Sequence, residues 1–166
     1  MTNIIETRQG KRASAKRTEK FIFIATYSGR GLLAMDADGA GHVLSVDASD
    51  DELGVAVLDA IERSRFLQPE EARRFLSPDQ VKKNHDDWIK EMLNLFSYTS
   101  RRDLFRGMKS CDIRLVDGEI VICPTEHPKL EAWEVLGDEM MIRVSGGASS
   151  SEIGAVLRTG FDRCSF

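Results

Sequence analysis

The chain has few cysteines, few histidines and no long apolar run, and each shortage removes a class of protein. Cys111, Cys123 and Cys164 are its three cysteines. Thiols so far apart suit neither a disulfide framework nor a zinc site, and they fit a reducing cytosol. The three histidines, His42, His85 and His127, are scattered along the sequence. No apolar stretch approaches the roughly 20 residues of a membrane span, and the polar, basic run from Arg8 to Lys20 does not resemble a secretory leader. Gly-x-Ser-x-Gly, His-Glu-x-x-His and phosphate-loop motifs are missing. No metal, cofactor, small-molecule substrate or membrane partner is therefore expected. What remains, 166 residues with 42% hydrophobic and 30% charged content, is the composition of one globular domain.

Charge is unevenly placed. Residues 1–31 hold seven Lys or Arg against two Glu, whereas residues 32–71 hold ten Asp or Glu against two Arg, within a total of −4. Thr, Ser, Gly, Gln and Ala separate the basic residues, and no aromatic interleaves before Phe21. Residues 1–19 therefore read as a flexible, solvated arm, and direct nucleic-acid binding is not expected. The alternative is a regulatory module whose basic arm binds nucleic acid.

Two stretches echo each other one hundred residues apart. Ala48-Ser49-Asp50-Asp51-Glu52-Leu53-Gly54 and Ala148-Ser149-Ser150-Ser151-Glu152-Ile153-Gly154 each place Ser three residues before Glu, ahead of a helical apolar pattern. That is a capping box. Each follows a β-like run, His42 to Val46 and Met140 to Val144, so a strand and capped-helix unit occurs twice. Phe21 to Tyr27 reads as a buried strand, Ser28 to Gly31 as a turn, and Leu32 to Asp36 as a short strand. Helices are expected over Asp50 to Arg65, after Pro69, from Ser77, and from Ser150 to Arg163. Asp117-Gly118 between β-rich runs marks a two-residue hairpin, with Pro124 ending its second arm. Strands and helices are partly segregated, which predicts an α+β fold over residues 20–166 with one mostly antiparallel sheet packed by helices.

Chemistry-bearing groups are sparse. His127 sits in Pro124-Thr125-Glu126-His127-Pro128, where a small hydrolase or nuclease would pair it with Glu126 or Asp103. The competing reading is a rigid loop with His127 hydrogen-bonded to the backbone. Arg101, Arg102 and Arg106 gather near Leu104-Phe105 and suit either phosphate binding or snorkelling over an apolar edge. Asp36, Asp38 and Gly39 only faintly suggest a calcium loop, because its third ligand and closing Glu are missing.

Four stretches taken together resemble a known family. They are Ala48 to Gly54 leading to Ser64-Arg65; Leu93-x-x-Phe96-x-Tyr98-x-Ser100-Arg101-x-x-Leu104-Phe105-x-x-Met108-x-x-Cys111; Pro124-Thr125-x-His127-x-x-Leu130-x-x-Trp133; and Glu152-Ile153-Gly154-Ala155-x-Leu157 with Arg163-Cys164. In order and spacing the set is similar to CdiI immunity proteins of contact-dependent growth inhibition (CDI) systems in Gram-negative bacteria. The Asp36–Gly41 loop and the basic arm depart from the pattern. The resemblance implies a cytoplasmic, non-catalytic antidote that binds the C-terminal toxin domain of a CdiA effector, a nuclease in the most similar branch, by β-augmentation. It transfers no contact residues. On charge alone, Asp36, Asp38, Asp50 and Asp51 are the candidates for toxin contact.

Overall fold

A computed structural model describes residues 3–165. Asn3 caps α1 (Ile4–Gln9), and Gly10, at φ 59°, turns the chain into β1 (Lys11–Arg17). β2 (Ile22–Arg30), β3 (Leu32–Met35) and β4 (Gly41–Leu44) follow, then α2 (Asp50–Glu62), α3 (Pro69–Phe75), α4 (Pro78–Phe96) and α5 (Arg101–Phe105). The second half carries β5 (Lys109–Val116), β6 (Glu119–Lys129), β7 (Ala132–Val135), a 3-10 turn over Asp138–Met140, β8 (Ile142–Ser145) and α6 (Ser150–Arg163).

The strands form one sheet in the order β3-β2-β1-β5-β6-β7, with β4 beside β2 and β8 beside β6, and every ladder is antiparallel. The α+β reading holds. The sheet is also built twice. β2 pairs with β1 on one side and with β3 and β4 in succession on the other. β6 does the same with β5, β7 and β8. The two units meet where β1 pairs with β5, Ser14 facing its counterpart Asp112. The echo at Ser49 and Ser149 is thus the visible end of a repeat that spans the fold.

One face of the sheet is sealed by α2 and α6. Ala13, Ala15, Ile22, Ile24, Cys111, Ile113, Ile120 and Ile122 pack there against Leu53, Val57, Ile61, Ile153, Leu157 and Phe161. The two helices cross at Gly54 and Gly154. A Cβ on Gly54 would strike the Ser150 carbonyl, and one on Gly154 the Asp50 carbonyl. Both caps form: Ser49 Oγ accepts from the Glu52 N–H (3.1 Å) and Ser149 Oγ from the Glu152 N–H (3.2 Å). The return bond from each Glu side chain is not made among the described residues. The other face is partly covered by α4 and α5, where Phe21, Phe23 and Ala25 meet Trp88, Met92, Leu104 and Phe105.

Several expectations need correction. The segment read as a flexible arm holds α1 and β1, and β1 lies at the centre of the sheet with Ala13, Ser14 and Ala15 buried. Its low β-propensity misleads: alanines are what the close approach of helices permits on one face, with Lys11 and Arg17 at its ends, and Arg12 and Lys16 occupy the other. Ser28 and Gly29 continue β2, and the turn comes one residue later at Gly31, φ 84°. Pro124 does not end β6. Its carbonyl accepts from the Leu136 N–H at 2.9 Å, so its nitrogen faces the gap between β8, which pairs with β6 up to Ile122, and β7, which pairs with it from Thr125 on. No ladder donor is needed there. The Asp117-Gly118 hairpin forms, with φ 53° and 73°.

Candidate functional site

The second face of the sheet is left half open. Because side chains alternate along a strand, burying Ala13 and Ala15 sends Arg12, Ser14 and Lys16 to this face. In the same way Phe23, Ala25 and Tyr27 come from β2, and Asp112 and Arg114 from β5. α4 stands over only part of the surface, leaving a groove of about 380 Å³. Its floor is Ser14, Lys16, Ala25 and Tyr27, its edge is Leu33 to Met35 of β3, and its wall is Val81, His85 and Trp88 of α4.

The edge is chemically unfinished. The Asp36 N–H donates to the Thr26 carbonyl (2.8 Å) and Ser28 pairs with Ala34. Hydrogen-bonding residues alternate in an antiparallel ladder. The N–H and C=O groups of Leu33 and Met35 therefore point away from β2, at the strand that borders the groove. Leu32, beside them, is 76% exposed. In the wall, the indole N–H of Trp88 is buried without a hydrogen-bond partner among the described residues.

The floor carries charge in a poorly hydrated setting. Lys16 Nζ donates to Ser110 Oγ (3.1 Å) and lies 4.3 Å from the centre of the Trp133 ring. Burial lowers its pKa to about 8, against an opposing pull from Asp112. Burial also raises Tyr27 to about 12, so its phenol is neutral. Asp112, on the same face, is exposed, and desolvation raises its pKa while Lys16, Arg12 and Arg114 pull it down.

The charge-selected candidates lie elsewhere. Asp36 is only 2% exposed and accepts from Ser28 Oγ (2.7 Å), the Asp38 N–H (3.0 Å) and both Nε and Nη2 of Arg65 (2.9 and 3.0 Å). Burial pushes its pKa up, but these donors outweigh it and hold the carboxyl below its ordinary value. Asp38, next to it, has a 90% exposed side chain. Asp50 accepts from Arg158 Nε (2.8 Å) and Asp51 from the Ser150 hydroxyl, so both link α2 to α6. Of the four, Asp38 alone is predominantly exposed, with Arg65 Nη2 4.0 Å from its carboxylate.

The other singled-out groups are engaged as well. His127 stacks on Trp133 (4.6 Å) and its Nε2 lies 2.7 Å from the Leu130 carbonyl. Asp103 accepts from the Thr99 hydroxyl, and its N–H donates to Ser100 Oγ (3.1 Å). Arg101 pairs with Asp86 (3.2 Å) and Glu131 (2.6 Å), while Leu104 and Phe105 are buried. Among the described residues no cluster of His, Cys, Asp and Glu has the spacing of a metal site, and no helix is long and apolar enough to cross a membrane. Sequence reasoning missed Lys16, Tyr27 and the Leu33–Met35 edge. The available signal was the alternation of Arg12, Ser14 and Lys16 with Ala13 and Ala15.

Known proteins resemble this chain over nearly its whole length. The family described as CdiI, CDI immunity protein, matches residues 11–164. The immunity protein CdiI-YPIII of Yersinia pseudotuberculosis serotype O:3 (strain YPIII) is 36% identical over 168 residues, covering 92% of this chain and 94% of that protein. A Neisseria meningitidis protein of unknown function superposes with a TM-score of 0.89 at 34% identity, over 99% of each chain. A chain of the CdiA-CT/CdiI toxin and immunity complex from Yersinia pseudotuberculosis superposes with a TM-score of 0.86 at 35% identity, over 93% of this chain and 97% of that one.

Proposed function

This chain belongs to the CdiI family of CDI immunity proteins, and from that premise we propose that it neutralises the C-terminal toxin domain of a cognate CdiA effector by binding it in the cytoplasm, without catalysis. The toxin is a nuclease, and a strand or hairpin of it pairs with β3 and enters the groove under α4. The observation that carries this reading is the unfinished edge: Leu33 and Met35 turn their backbone groups outward beside an apolar-walled groove. Such groups supply affinity to an added strand, and the pockets beside them supply selectivity. A nuclease is basic where it holds nucleic acid, and the span 32–71, with ten acidic and two basic residues, complements it.

The test is titration calorimetry with the CdiA C-terminal domain encoded beside this gene, using Leu33→Pro. Proline deletes an N–H that β2 does not use, and edge strands tolerate it. The expected result is an unchanged melting temperature with at least tenfold weaker toxin binding. Equal affinity for the variant and wild type rules out strand addition at β3. A toxin that fails to bind wild type rules out the immunity reading. Wild-type protein that itself cleaves nucleic acid, and loses that activity in a folded His127→Ala variant, would instead favour the enzyme alternative.

A further inference from the structure

Lys16 is a charge kept in a costly place without an ion-pair partner. Its ammonium lies over an aromatic ring and donates to one hydroxyl, and no carboxylate among the described residues comes within 4.0 Å of it. The groups that face it are known from every side. β5 contributes Asp112 and the Ser110 hydroxyl, while the Cys111 thiol acts only from the opposite face of the sheet. From β2 comes the neutral phenol of Tyr27. α4 contributes Lys82, paired with Asp86 (2.6 Å), and His85, 3.2 Å from Glu131. β7 supplies the Trp133 ring, which also stacks on His127, packs on Phe105 and donates its N–H to the Met108 carbonyl. Beside the groove, Asp112 shares this face of the sheet with Arg12 and Arg114 as well as Lys16. Three cations thus face one anion across the two central strands. A desolvated cation of this kind is tolerated when a partner completes it, and it then reads strongly for charge.

We propose that Lys16 is the specificity anchor of the groove and takes a side-chain carboxylate, from an Asp or Glu, on the toxin segment that enters it. This rests on the immunity reading above. It adds the chemistry of the entering segment, which must be acidic at one position even though a nuclease is basic where it holds nucleic acid. A carboxylate opposite Lys16 pairs with an ammonium that solvent has already largely left. A Lys or Arg at the same position meets three like charges.

Proton linkage separates this arrangement from simple burial. With its pKa near 8, the free protein's Lys16 is about half neutral at pH 8, and a carboxylate partner drives it fully charged. The experiment is calorimetry with the same toxin domain at pH 8 in two buffers of different ionisation enthalpy, for wild type, Lys16→Met and Lys16→Arg. Wild type should take up about half a proton on binding. Lys16→Met should keep its melting temperature, bind roughly 30-fold or more weakly, and take up none. Lys16→Arg should recover part of the affinity and also take up none, because guanidinium does not titrate there. Double-mutant cycles between Lys16→Met and each toxin Asp or Glu changed to Ala should find one strongly coupled carboxylate.

Proton release by wild type overturns the proposal, because it means that the ammonium is covered by apolar or cationic groups. So does a full-affinity Lys16→Met, or the absence of any coupled toxin carboxylate. Should Lys16→Met fail to fold, the sign of proton exchange in wild type decides alone. Wild-type protein that does not bind the toxin fails the immunity reading itself, and this proposal with it.

Discussion

Removing the Asp36 carboxylate strands several donors at once: the Arg65 guanidinium, the Ser28 hydroxyl and the Asp38 N–H. Asp36→Ala should therefore cost about 2–3 kcal/mol at pH 7. That is less than the loss of one member of a fully buried ion pair, because Arg65 is 38% exposed. The pH dependence has a fixed sign. The folded-state pKa lies below the unfolded one, so the stabilisation is fully present above about pH 4 and fades as pH falls through the folded value. Chemical denaturation of wild type and variant at pH 7 and pH 3 should show the gap closing on the acid side; a constant gap refutes the linkage. Asp36 also shows why a tally of charges misdirects. In sequence it is one of ten acids in the span 32–71, and only tertiary structure distinguishes it from the exposed Asp38.

The helices were largely legible in the sequence because their signals are local. Ser49, Ser77, Ser100 and Ser149 all accept from the N–H three residues on, as their spacing predicts. Ser49→Ala and Ser149→Ala should each lower stability by about 1 kcal/mol, measured by thermal melts. A change in partner affinity without a change in melting would show these serines to be contacts instead of caps. Gly154→Ala should do worse, at about 3 kcal/mol or more. The added Cβ meets the rigid backbone of α2, so the two helices must separate and their shared core loosens. The strands were less legible. β1 has no Val, Ile, Tyr or Phe, and it is a strand because β2 and β5 both pair with it. β7, Ala132–Val135, was missed altogether. It is short, and its place is fixed by pairing with the end of β6. The groove shares this character: its floor, edge and wall come from segments far apart in sequence, so no local pattern contains it.

For the whole molecule, residues 3–17 are part of the framework. A chain lacking residues 1–17 should lose its cooperative melt and its dispersed amide spectrum, because the cut removes one of the two central strands of the sheet. A truncated protein with native spectra would return the segment to the status of an arm. At the same scale, Asp38 and Asp47 are exposed members of the acidic span. The Asp38→Asn, Asp47→Asn double variant should slow association with the toxin at low salt, with little change in dissociation. The difference should vanish at high salt, where the Debye length drops to about 3 Å. A rate that responds to neither salt nor substitution removes long-range steering and leaves groove contacts to explain recognition.

The seam between the halves also sets a timetable. Ser14 pairs with Asp112, so β1 leaves the ribosome nearly one hundred residues before its second neighbour exists. At about 5–20 residues per second, the nascent strand waits roughly 5–20 s with one backbone edge unsatisfied. The first half can complete its hairpin, its outer strands and α2 in that interval. α2 must then hold its glycine face ready for a helix not yet made. Closure of β1 on β5 and docking of α6 on α2 come last, as one long-range event between two half-sheets. A cell making this protein thus accumulates half-built chains before it holds any finished copy, and the delay is written into the order of the strands.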